Sequence, residues 1–167
     1  MIAILADTHM PKGNRALPEA CVERVREAEA VIHAGDFFAA SVLAELRALN
    51  PVVLAVHGNV DEPALRAELP ESLEVEVGGR TVAVVHDSGP SKGRLARMRL
   101  RFPEADAVVF GHSHLPLHEE EEEEEEEEDG FQIFNPGSPT ERRRAPRHSM
   151  GLLHPTDSGL RFEHLWL

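Results

Sequence analysis

Ala107-Val108-Val109-Phe110-Gly111-His112-Ser113-His114 is an apolar run broken by a glycine and closed by two histidines. The apolar half reads as a buried strand. The glycine lets the chain turn at the strand end, and two imidazoles two residues apart can then face one pocket without helical geometry. Imidazole suits divalent transition metals. A His-x-His pair alone is equally well a surface or hydrogen-bonding pair. Its weight comes from four other strand ends that also finish in oxygen or nitrogen donors: Asp7-Thr8-His9, Gly35-Asp36, Gly58-Asn59 and His86.

The runs that lead to these donors set the fold class. Residues 2–6 are apolar on both faces, which predicts a buried strand in a mixed or parallel sheet. Apolar residues at helical spacing predict a helix over 18–29, and residues 30–34 a second strand. Ser41 can cap a helix that runs to Leu49 and is stopped by Pro51. A third strand over 52–56 completes a strand–helix alternation, the signature of an α/β protein. The pattern then changes. Residues 73–77 alternate, Gly78-Gly79 can make a tight turn, and 81–85 return, which predicts a hairpin. A basic helix is expected over 91–101 with Leu95, Met98 and Leu100 inward. A short strand over 131–134 and a final hairpin of 148–153 with 160–167 follow.

The chain has 167 residues, the length of one domain, and one cysteine, Cys21, so there is neither a disulfide framework nor a cysteine-rich zinc site. We expect a single domain over 1–167. No apolar run reaches the ~20 residues of a membrane span, and the short apolar start is too brief for a signal segment. A cytoplasmic protein with no membrane partner is the expectation. The net charge of −13 is dominated by ten consecutive glutamates, 119–128, and by Asp129; without these eleven the body carries −2. A nearly neutral body offers no footprint for stable nucleic-acid binding. The acidic stretch, 119–129, reads as a solvated low-complexity loop.

In an α/β sheet, ligands bind where the carboxyl ends of the strands gather. That edge would collect Asp7, His9, Asp36, Asn59, His86, His112 and His114. Seven donors are too many for one ion and suit two that share a carboxylate, with positions left for water and substrate.

Taken in order, Asp7-Thr8-His9, Gly35-Asp36, Gly58-Asn59-Val60-Asp61, His86, Gly111-His112-Ser113-His114 and Asn135-Pro136-Gly137-Ser138 resemble the calcineurin-like metallophosphoesterases, in particular their small bacterial and archaeal phosphodiesterase branch. The resemblance implies a four-layer α/β/β/α sandwich with two mixed β-sheets. It places the first metal on Asp7, His9 and His114, the second on Asn59, His86 and His112, and makes Asp36 the bridge. It implies two divalent ions, manganese first and zinc, iron or nickel as alternatives. The implied activity is hydrolysis of small phosphodiesters by a metal-bridging hydroxide, with Asn59 also orienting a phosphate oxygen. The alternatives are a protein-binding scaffold of the same fold and a phosphomonoesterase. A homo-oligomer is compatible with all three.

There are departures from that pattern. Val60 stands where many larger relatives carry a histidine that protonates the leaving group, so substrates with good leaving groups are expected. Asp87-Ser88-Gly89 follows His86 in place of an immediate glycine, and Met10 replaces a frequent glycine. Other residues have plainer readings. His33 and His57 are expected to be structural, with His57 able to reach the rim. Asp61 is expected to cap a loop, and Asn135 to Ser138 to shape one. Cys21 is read as core, and Arg94, Arg97, Arg99 and Arg101 as a solvated face. Arg142 to Arg144 lie where they could attract an anionic substrate.

Overall fold

Alternate residues of the first strand, β1 (Ile2–Leu5), belong to two different cores. Ile2 and Ile4 pack inward with residues of a second sheet, while Ala3 and Leu5 pack outward under helices. This period of two on a strand with no polar face is what its all-apolar sequence demands. The computed structural model describes residues 1–121 and 130–167.

In the first sheet, β1 pairs in parallel with β2 (Ala30–His33), and β2 with β3 (Val53–Ala55). On its other side β1 pairs antiparallel with β9 (Ser149–Pro155), and β9 with β10 (Leu160–Trp166). The second sheet has the order β4 (Ser72–Val77), β5 (Arg80–Val85), β6 (Ala107–Val109), β8 (Gln132–Asn135), β7 (Leu117–Glu120). Its three central strands are parallel and its two edges antiparallel. The expected hairpin joins β4 to β5. Both turn residues, Gly78 and Gly79, have positive φ, the conformation a two-residue turn requires where glycine is cheapest.

Between the sheets lies one core, with Ile4, Ile32, Val82, Val84, Val109, Phe134 and Leu153 among its members. Outside the first sheet pack α1 (Glu19–Glu27), α2 (Ala40–Leu49) and α3 (Pro63–Glu68), through Cys21, Val25, Val42, Leu43, Leu46 and Leu65. Outside the second packs α4 (Arg94–Arg101), through Met98. The layers are therefore α/β/β/α. Among the described residues no helix is long and apolar enough to cross a membrane.

Several expectations are corrected. Ser41 does not cap α2. The cap position is Ala39, without a side-chain bond, and the Ala40 N–H is satisfied by Glu62 Oε2 from the start of α3. Leu100 is not inward: it is 83% exposed, whereas Met98 is buried. The arginines of α4 are not a purely solvated face. Arg97 donates to the carbonyls of Ser88, Pro90 and Lys92, and Arg94 and Arg99 lie over the rings of Phe110 and Phe131. The acidic stretch does not begin as a loop: Glu119 and Glu120 belong to β7, paired with Ile133 and Gln132. Its remainder over 122–129 lies outside the described residues.

Candidate metal centre

Every donor-bearing loop leaves the carboxyl end of a strand, but the strands belong to two sheets and not to one sheet edge. Asp7 and His9 follow β1, Asp36 follows β2 and Asn59 follows β3; His86 follows β5, and His112 and His114 follow β6. Neighbouring loops are stitched together by main chain. Asp7 N–H donates to the Gly35 carbonyl, His9 N–H to that of Asp36, and Gly111 N–H to that of His86.

All seven sequence-predicted residues converge. They form two groups, Asp7 with His9 and His114, and Asp36 with His86 and His112, each offering atoms within 4.8 Å of one another. Asn59 joins the second group: its Oδ1 lies 3.1 Å from His86 Nε2 and 3.0 Å from His112 Nδ1. Asp36 joins the groups to each other, because its Oδ2 is 3.2 Å from His9 Nε2 and 3.2 Å from His86 Nε2. The His9 and His114 rings meet edge-on with centroids 4.8 Å apart.

The ring nitrogens that point inward are chosen by what holds the other nitrogen. His86 Nδ1 donates to the Ala34 carbonyl at 2.8 Å, and His114 Nδ1 to the Glu141 carbonyl at 2.5 Å. With Nδ1 so engaged, each Nε2 faces the interior, where it becomes a lone-pair ligand once a cation replaces any proton on it. Five of the seven residues, Asp7, His9, Asp36, His112 and His114, have positive φ. Each such non-glycine residue costs on the order of 1 kcal/mol or more, a strain that clusters at functional sites.

Asp61 explains how two loops of the site keep their spacing. Its carboxylate accepts from Gly58 N–H at 2.7 Å, Phe38 N–H at 2.8 Å and Asp36 N–H at 3.1 Å. Gly58 is needed for closeness: a Cβ there would sit 2.0 Å from Asp36 Oδ1. Asn135 and Ser138 shape the far loop. Asn135 Nδ2 donates to the Gly111 carbonyl and Ser138 Oγ to that of Asp7. His33 is buried and structural, accepting from Gly35 N–H and contacting Thr8 Oγ1 at 3.2 Å. His57 lines a cavity of about 250 Å³ beside the second group, together with Asn59, Arg66, His86, Asp87 and Arg101.

Burial and the close pairing of carboxylates with imidazoles set the electrostatics of the site. Burial pushes the Asp7 carboxyl up to about 7. Burial also opposes the charge on Asp36, but bonds from His86 and His9 outweigh it and hold that carboxyl below the usual carboxylate range. His86 is pushed up to about 9, as its bond to Asp36 and the charges of Asp7 and Asp36 overcome its burial. Burial pulls His114 down to about 4. Asp7 Oδ2 and His114 Nε2 are buried with no hydrogen-bond partner, and both belong to the first group. His114 Nε2 lies 3.6 Å from the other oxygen, Asp7 Oδ1. A bound cation satisfies such orphaned donors, and an oxygen-and-imidazole set suits manganese, iron or zinc.

One participant carries no motif. Glu141 lies on the loop after β8, with Oε2 2.7 Å from His9 Nδ1 and Oε1 2.9 Å from Arg15 Nη2. Nothing local in the sequence marks either residue, because the contacts span the chain.

Comparison with known proteins identifies the family. The calcineurin-like phosphoesterase superfamily domain matches residues 1–158. A probable metallophosphoesterase of Methanothermobacter thermautotrophicus is 33% identical over 145 residues, covering 86% of this chain and 79% of that protein. A phosphodiesterase of Methanocaldococcus jannaschii is 28% identical over 149 residues, covering 81% of this chain and 82% of that protein. Among solved structures, Vps29 of Entamoeba histolytica in complex with Zn²⁺ superposes with a TM-score of 0.75 at 21% identity, covering 99% and 98% of the two chains. That last likeness shows the fold alone.

Proposed function

The chain belongs to the calcineurin-like phosphoesterase superfamily and is a metal-dependent phosphoesterase, and from that premise we propose that it is a cytoplasmic, single-domain, dinuclear phosphodiesterase acting on small diesters. The observation that carries this reading is Asp36 Oδ2, equidistant at 3.2 Å from an imidazole nitrogen of each group. Asp7, His9 and His114 would hold one ion, Asn59, His86 and His112 the other, with Asp36 shared and manganese the first candidate. Bound there, two divalent ions supply a nucleophilic hydroxide at neutral pH and neutralise charge developing on the phosphoryl oxygens.

The protein's own groups do the positioning. Asp36 Oδ1 accepts the Val60 N–H at 3.0 Å, which keeps its other oxygen turned to both groups. The Asn59 side chain is exposed at the mouth, within reach of an incoming phosphate oxygen. The cavity of about 250 Å³ next to it has room for one modest ester arm; its wall carries Arg66 and Arg101 beside Glu71 and Asp87, with Arg101 3.7 Å from Glu71. Val60, 37% exposed at the same mouth, carries no proton for a leaving group, which favours aryl over alkyl esters.

The Vps29 likeness keeps a second reading in view, a scaffold that binds protein partners. The complete donor set argues for the enzyme. The test is metal analysis of the purified protein together with Mn²⁺-dependent hydrolysis of bis(p-nitrophenyl) phosphate and p-nitrophenyl phosphate. Two ions per chain and faster diester turnover are expected. Two bound ions with no hydrolysis of either ester would favour the scaffold, and faster monoester turnover a phosphomonoesterase.

A further inference from the structure

Glu141 touches both imidazoles of the first group and does so by two different parts of itself. Its main-chain carbonyl accepts His114 Nδ1–H at 2.5 Å, and its carboxylate Oε2 lies 2.7 Å from His9 Nδ1. The residue is held there from three sides. Arg15 Nη2 grips the other carboxylate oxygen at 2.9 Å. The Glu141 N–H donates to Ser138 Oγ at 2.8 Å, and that hydroxyl donates to the Asp7 carbonyl at 2.8 Å. Thr140 Oγ1 donates to the Thr8 carbonyl at 2.5 Å. The loop of Glu141 is thus bolted to the main chain of the very segment that carries Asp7 and His9.

We propose that Glu141, oriented by Arg15, is a positioning residue for the first ion: its carboxylate takes the Nδ1 proton of His9 as a hydrogen bond and so commits Nε2 to the cation. The inference rests on the dinuclear reading. Its motive is an unfinished contact. Oε2 is buried and close to Nδ1 but off the N–H axis, so it is an acceptor without a well-directed hydrogen bond. A small turn of the imidazole completes that bond. A carboxylate behind a ligating histidine fixes its tautomer and raises its basicity, and loss of such a partner typically costs about 10- to 100-fold in metal affinity. In the second group, among the described residues, His86 Nδ1 is held instead by a neutral carbonyl, that of Ala34. The effect should therefore fall on one ion and not on both.

The experiment is calorimetric titration of the chelator-treated full chain with Mn²⁺ alone. The wild type, Glu141→Gln, Glu141→Ala and Arg15→Gln are compared, and His112→Ala identifies the step that belongs to the second group. Wild type should show two steps. Glu141→Gln, nearly isosteric, should weaken only the step that survives in His112→Ala, by about tenfold, and Glu141→Ala by up to about 100-fold. Arg15→Gln should fall between wild type and Glu141→Gln. Unchanged affinities in Glu141→Gln, or equal weakening of both steps, would overturn the inference while leaving two ions in place. Fewer than two steps in the wild type would instead end the dinuclear reading and this inference with it.

Discussion

The two halves of the centre are built from similar donors and differ in how they are enclosed. In the first half Asp7 and His114 are fully buried, two of their polar atoms have no partner, and Glu141 and Arg15 stand behind the histidines. In the second half His112 and Asn59 are exposed, their polar atoms lie within 3.0–3.1 Å of neighbours, and an open cavity adjoins them. The contrast teaches a division of labour. A buried set of fixed lone pairs retains a cation with little help from substrate. An open set with solvent-facing ligands can exchange water for a phosphate oxygen.

Among the described residues Asp36 alone belongs to both halves, so its removal is the strongest way to break the contrast. Asp36→Asn keeps the shape, and its remaining carbonyl can still accept the Val60 N–H. It removes the charge that faces His9 and His86 at once. We expect turnover of bis(p-nitrophenyl) phosphate to fall by about 10³-fold and both Mn²⁺ binding steps to weaken. If only one step weakens, Asp36 serves one half and the shared-carboxylate reading is wrong.

A smaller effect tests how tightly the halves are pressed together. Gly58→Ala introduces a methyl that would lie 2.0 Å from Asp36 Oδ1 and 2.5 Å from the Asp36 nitrogen. The backbone of one loop or the other has to move, although Asp61 holds both. A loss of about 1–3 kcal/mol in urea unfolding of the chelator-treated protein is expected, the usual cost of overpacking. Unchanged stability together with unchanged metal affinity would mean that the two loops are freer than their hydrogen bonds indicate.

The donors of both halves were legible in the sequence because each ends an apolar run, and apolar runs are the most readable elements of an α/β chain. The same runs marked an α/β protein, but its four layers and two sheets were implied by the family resemblance of the ordered motifs and not by the pattern of any strand. What escaped was set by contacts between distant residues. Helix α3 has six residues and one buried side chain, Leu65, so it carries no periodicity to read. Strand β7 is a polar edge whose last residues merge into the glutamates. Ser41 had the chemistry of a cap, but Glu62, distant in sequence, took the role. Leu100 fitted a helical stripe on a helix that buries only Met98. Glu141 and Arg15 sit in ordinary polar sequence and gain meaning only when the loop after β8 folds over the loop after β1. The positive φ values at five donors left no trace beyond residue types that tolerate them.

The gentlest perturbation sharpens the account of the enclosed half. His33 lies behind it, 3.2 Å from Thr8 Oγ1 and 3.2 Å from the Gly35 N–H that it accepts. Burial, with the charge of His86 adding to it, pulls this imidazole down to about 3. A histidine kept neutral in the fold and free to take a proton once unfolded, near 6.5, contributes stability that is complete above about pH 6.5. That contribution is lost as pH falls from there toward 3. Glutamine reproduces one donor and one acceptor and takes up no proton. The chelator-treated wild type should therefore lose Tm between pH 6.5 and 4 more steeply than His33→Gln, while the two differ little above pH 7. Parallel curves would mean that His33 is protonated in the fold without penalty. The enclosure of the first half would then reach no further than Thr8 and Glu141.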